Sequence, residues 1–140
     1  MLGLKKILRG GIHVQVLNPE GVFNSERYYS GIKVGNTIFT AGRIAFDAEG
    51  KVIEPNNAAA QTRHIMEDIT RILKAGGATL EDIVLIHTYV LHPEDMPSIH
   101  KARQQYMDPH RPPHTGINVQ DPSWEERGIR VEIEVIAVII

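Results

Sequence analysis

The chain has 140 residues and a mass of 15.7 kDa, enough for one domain with one core. Apolar residues make up 42% and charged residues 23%, which excludes disordered, collagen-like and low-complexity classes. Lys plus Arg number 15 and Asp plus Glu 17, so the net charge of −2 argues against nucleic acid or an anionic membrane as partner. With no cysteine, disulfides, thiolate nucleophiles and Cys-ligated metals are out.

At the N-terminus, Leu2, Ile7 and Leu8 set against Lys5, Lys6 and Arg9 allow a weak amphipathic helix. A frayed or partner-packed start is the simpler expectation. The segment is too short and too charged for a signal-peptide core, and no apolar run reaches the about 18–20 residues of a membrane span. The expected compartment is the cytoplasm. Residues 12–17 alternate and stop at Asn18-Pro19-Glu20-Gly21, which predicts a strand. Runs 28–34 and 37–41 are joined at Gly35-Asn36, a hairpin signal. Another turn, 47–50, leads into Val52 and Ile53.

The period then changes. Ile65, Met66, Ile69, Ile72 and Leu73 recur at spacings of three and four, which predicts a helix over 57–75, capped by Asn56 or Asn57 and stopped by Gly76-Gly77. Thr79-Leu80-Glu81-Asp82 reads as a capping turn, and 83–91 as a buried strand. A second helix starts at His92-Pro93-Glu94-Asp95, with Met96, Ile99 and Tyr106 as a thin apolar face, and Pro109, Pro112 and Pro113 end it. Thr115–Val119 reads as a strand, Trp124–Gly128 as a polar turn, and Ile129–Ile140 as the last strand. The order β-β-β-α-β-α-β-β implies an α+β fold with two helices on one face of a mixed sheet. Several strands are apolar on both faces. A sheet cannot leave its second apolar face in water, so a closed oligomer is expected.

Candidate chemistry rests on histidines, carboxylates, arginines and hydroxyls. His100, His110 and His114 could gather around zinc, but their spacing matches no established motif, and no metal or cofactor is expected. His87, inside an apolar strand, reads as a hydrogen-bonded core histidine. Glu132 and Glu134 are two apart on a strand, on one face and about 7 Å from each other. A solvated pair is one reading. Carboxylates on a covered strand with raised pKa, suited to proton transfer, are the other.

Taken together, these pieces resemble the RidA/YjgF family of imine and enamine deaminases, formerly labelled endoribonuclease L-PSP. The resemblance lies in Tyr28-Tyr29-Ser30-Gly31, the run from Val34 to Gly42, Gln61-Thr62, Ala75-Gly76-Gly77-Ala78, Leu80–Val84 and Val131–Val138. It implies a chorismate-mutase-like fold and a homotrimer with small-molecule clefts at subunit interfaces. The domain then covers residues 24–140 behind an N-terminal extension over 1–23 that carries the first strand. The family's water-handling glutamate falls on Glu132, its cleft tyrosine on Tyr28 and its backbone N–H donor on Gly42. Its carboxylate-clamping arginine does not carry over: His114 stands there, within Pro112-Pro113-His114-Thr115. Gly116 replaces a common cysteine, His100 an asparagine and Arg43 a glutamine.

The resulting expectation is a deaminase-like hydrolase with altered specificity. Glu132 and His114 are its catalytic candidates, and Tyr28, Gly42, Arg43, His100 and Thr115 bind substrate, Arg43 as a replacement anion clamp. The alternative is a non-catalytic metabolite-binding trimer, a sensor or regulator. The nuclease label finds no basic stripe with interleaved aromatics to support it.

Overall fold

A computed structural model of the chain describes residues 11–140 and the backbone of residues 5–7. Among the described residues, seven strands form one sheet in the order β1-β2-β3-β4-β7-β5-β6. They are β1 (Lys5–Ile7), β2 (His13–Leu17), β3 (Gly31–Val34), β4 (Thr37–Thr40), β5 (Ile83–Val90), β6 (His114–Asn118) and β7 (Val131–Val138). All neighbours are antiparallel except β5 and β6, which run parallel. The helices are α1 (Ala58–Ala75), α2 (Met96–Met107) and the short α3 (Pro122–Arg127). The fold is the α+β arrangement expected, with α1 and α2 on one face. No helix among the described residues is long and apolar enough to cross a membrane.

Local chemistry explains the elements. Asn57 caps α1 by accepting from the Ala60 N–H at 3.0 Å, and Gly77 follows its end at φ 83°. The face of α1 carrying Ile65, Met66, Ile69, Ile72 and Leu73 is wholly buried. It packs on Ile38, Ile86, Val131, Ile133 and Val135 from the sheet. Thr79 and Asp82 cap each other reciprocally in the turn before β5, as their spacing predicts. At the β3–β4 hairpin, Val34 pairs with Thr37 and Gly35 takes φ 59°, the positive angle a Gly-first two-residue loop requires.

Three expectations are corrected. Lys5–Ile7 is a strand paired with β2, not helix; Leu2, Leu8 and Arg9 lie outside the described residues. The first hairpin strand starts at Gly31, leaving Tyr28 and Tyr29 exposed before it. The polar turn at 124–128 is instead α3. Asp121 caps it by accepting from Ser123 and Trp124, Pro122 fills its first turn, and Gly128 ends it at φ 74°.

The face away from the helices stays open. The pairings Ile32↔Phe39, Phe39↔Ile136 and Leu85↔Ile136 align four apolar side chains across it, and Phe39 remains 43% exposed.

Candidate active site

Strand alternation decides which candidates meet. Tyr89 pairs with Glu132 and His87 with Glu134 across β5 and β7, and Thr115 of β6 pairs with His87. These five residues lie on the open face. Thr88 pairs with Ile133 and is fully buried on the helix face, and His114 follows it there, its Nε2 3.0 Å from the Thr88 hydroxyl. Within one chain, therefore, Glu132 and His114 stand on opposite faces of the sheet.

Glu132 sits over a glycine. A Cβ at Gly42 would lie 2.6 Å from Glu132 Oε2, so any larger residue there would push the carboxylate from this position. A bulge sets this up. Phe39 pairs with Ile136, but Arg43 pairs with Ile133, so residues 40–42 carry one more residue than the strand opposite. The Thr40 hydroxyl fills the gap by accepting the Val135 N–H at 3.0 Å. Flanking amides bond Ser30 and Ile133, whereas the Gly42 N–H has no acceptor among the described residues.

The two carboxyls differ in their surroundings. Glu134 Oε1 accepts from the Tyr89 hydroxyl at 2.6 Å and lies 3.1 Å from His87 Nδ1. Tyr89 is pushed up to about 12, chiefly by that bond. No donor among the described residues holds Glu132, and burial, then the neighbouring Glu134 charge, raises its pKa. A partly buried carboxyl with raised proton affinity, beside a free N–H, can exchange a proton with a bound water or substrate. His87 does make a hydrogen bond, but on the open face rather than in the core.

Arg43 does not serve as an anion clamp on this face. The bulge turns it to the helix side, where it is 3% exposed and donates to Ser30 Oγ at 3.1 Å and the Phe23 carbonyl at 2.7 Å. Its Nη2 also lies 3.9 Å from Asp68, itself fully buried beside His64 and Arg71 at 3.4 and 3.6 Å. Burial lowers the Arg43 pKa, against the opposing pull of Asp68 and of Tyr28. Tyr28 is thus within electrostatic reach of Arg43, with 53% of its surface exposed.

His100 and His114 meet a residue that sequence reasoning passed over. Arg103 of α2 is 2% exposed and donates to His100 Nδ1 at 2.8 Å and to the Thr88 hydroxyl at 3.4 Å. His114 is pushed down to about 4, by burial first and then by Arg103, His100 and His87. His110 turns elsewhere, to the Ile83 carbonyl at 2.7 Å. A signal for Arg103 was present: it falls on the α2 stripe with Ile99, Ala102 and Met107, where a charge is out of place.

A mixed sheet bare of helices on one face, with paired carboxyls and a bulged glycine there, defines an α+β protein of the RidA type. The model of the family described as Endoribonuclease L-PSP matches residues 22–139, and the chain belongs to that family, also called RidA/YjgF. It is 32% identical over 110 residues to a RutC family protein of Pyrococcus abyssi, covering 79% of this chain and 84% of that one. The 3-aminoacrylate deaminase RutC of Acinetobacter baylyi is 30% identical over 99 residues, 70% of this chain and 79% of its own. The crystal structure of RidA from an Antarctic Psychrobacter superposes with a TM-score of 0.79 at 26% identity, covering 89% of this chain and 99% of that one.

Proposed function

We propose that the chain is a small-molecule hydrolase of the deaminase type, acting on an imine, enamine or related activated C–N bond. It works at clefts between the subunits of a homotrimer. The observation that carries this reading is Glu132, which is partly buried over Gly42 with its proton affinity raised by burial and by Glu134. The enamine class is supported by the relative named 3-aminoacrylate deaminase.

In this reading an enamine first tautomerises to its imine. Glu132 takes a proton from water as the water oxygen bonds to the imine carbon, and that proton passes to the nitrogen. Collapse of the carbinolamine then expels ammonia and leaves a carbonyl. The Gly42 N–H orients the substrate, and Thr115 and Tyr28 border the cleft. His114 and His100 act across a subunit boundary, because His114 sits on the edge strand and faces away from its own chain's Glu132.

The test is a panel of imines generated in situ by an amino-acid oxidase, with semicarbazide trapping what survives. Wild type should clear a subset, and Glu132→Gln should lose at least about 100-fold. Unchanged turnover in Glu132→Gln overturns the mechanism. A second reading, a non-catalytic metabolite-binding trimer, is favoured by His114 standing where the clamping arginine is expected. It predicts ligand binding without turnover in wild type.

A further inference from the structure

Among the described residues Asp68 of α1 is the only buried acid, and the chemistry drawn for Glu132 does not use it. Three basic side chains close around it, Arg43, His64 and Arg71, at 3.9, 3.4 and 3.6 Å. All three stand at ion-pair distance, and neither carboxylate oxygen meets a donor in hydrogen-bond geometry among the described residues. A carboxylate held this way works through its charge rather than through directional bonds.

Each basic partner reaches a different stretch of chain. Arg43 donates to the Phe23 carbonyl at 2.7 Å and to the Ser30 hydroxyl at 3.1 Å. Arg71 lays its side chain along Gly21, where a Cβ would sit 3.8 Å from its Cδ. His64 Nε2 lies 2.9 Å from the Phe46 carbonyl, and the Phe46 ring meets Phe23 edge-on at 5.2 Å. Gly21, Phe23 and Ser30 belong to one strap, residues 18–30, which joins β2 to β3 without helix or strand of its own. Side chains draw its ends together: Asn18 Oδ1 accepts the Ser30 N–H at 2.7 Å, and the Ser30 hydroxyl donates to Asn24 Oδ1 at 2.6 Å. The strap carries Tyr28 and Tyr29, each about half exposed.

Arg43 is also tied to the candidate site through its main chain. It follows Gly42, and its N–H and C=O exchange bonds with Ile133 at 2.8 and 3.0 Å, next to Glu132 on β7. One residue thus fastens the strap by its side chain and the bulge by its backbone.

We infer that Asp68 is a positioning residue: acting through Arg43 and Arg71, its charge fixes the strap, and with it Tyr28, against the Gly42 bulge and Glu132. For Tyr28 this rests on the deaminase reading, and for the strap on the geometry alone. Removing one partner of a buried ion pair leaves the other charge unmet, and the strap, with no ladder of its own, is where that loss is felt. The raised proton affinity of His64, owed first to its contact with Asp68, agrees with an anion at this point.

The experiment is amide hydrogen exchange by NMR on the full chain, read without substrate and paired with the imine panel. In Asp68→Asn, which keeps the shape without the charge, the Ser30 and Ala41 amides should exchange at least about tenfold faster while β5 amides keep their rates. Arg71 is half exposed, so Arg71→Gln spares the core and should speed the same two amides by a smaller factor. Ile69→Val, a core change on the same helix, should leave them unaltered. On an imine that wild type clears, Asp68→Asn should raise KM by about tenfold and change kcat less, because the strap binds and Glu132 reacts. Unaltered strap exchange in Arg71→Gln and in a folded Asp68→Asn chain overturns the inference, as does a loosened strap with KM unchanged. Should wild type clear no imine, the deaminase reading fails and the exchange rates still decide the strap.

Discussion

Glu132 and His114 are displaced in opposite directions along the pH scale, and each displacement has a stability consequence. Glu132 holds its proton more tightly folded than unfolded, so its contribution is present at low pH and is lost as pH climbs through its raised value. Glu132→Gln keeps the shape without the charge. It should raise the melting temperature at neutral pH, by about 1 kcal/mol of stability, while abolishing turnover; a lower melting temperature contradicts this. His114 refuses below its ordinary 6.5 a proton that the unfolded chain accepts. Stability should therefore fall as pH drops from 6.5 toward about 4, and His114→Asn should flatten that slope in thermal melts across the range. Gly42→Ala forces the Glu132 carboxylate aside. Activity should fall by about 100-fold while far-UV dichroism is unchanged.

Where hydrophobic period and cap residues agree, the elements were legible from sequence. Asn57, the α1 stripe and Gly76-Gly77 all mark one helix, and Gly35-Asn36 marks the hairpin. Alternation along β7 placed Glu132 and Glu134 on one face. It could not reveal Tyr89 and His87 opposite them, because pairing partners come from tertiary register. The short α3 was missed although Asp121, Pro122 and Gly128 are its start and stop signals; its few residues carry no apolar period to read. Arg43 was misplaced for a related reason, since a bulge leaves no trace in a propensity pattern. The cap of α3 matters beyond its length, because Trp124 packs against Leu91 and Ile129 in a second apolar cluster. Asp121→Ala should cost about 1 kcal/mol in urea unfolding, with fluorescence of the single tryptophan reporting the change. Unaltered stability would show that packing alone holds α3.

At the scale of the molecule, the sheet has one covered face and one open one. Ile32, Phe39, Leu85 and Ile136 form an apolar centre on the open side, with the Glu132–Glu134 pair beside it. The proposed trimer covers this centre. Light scattering should give three times the 15.7 kDa chain mass. Phe39→Asp should shift the mass toward the monomer without unfolding it, since Phe39 is exposed in the single chain. A monomeric wild type would remove both the trimer and the interfacial cleft.

The extra residue between Thr40 and Gly42 also constrains how this chain can vary over descent. Dropping one residue there would restore regular pairing with β7 and leave Arg43 opposite Ile133 on the helix face, so what it would remove is the bulge that holds the unpaired Gly42 N–H beside Glu132. Length changes in viable descendants should therefore collect at exposed turns such as Gly35-Asn36 and Glu49-Gly50. The stretch from Thr40 to Arg43 should keep its residue count even where its letters change.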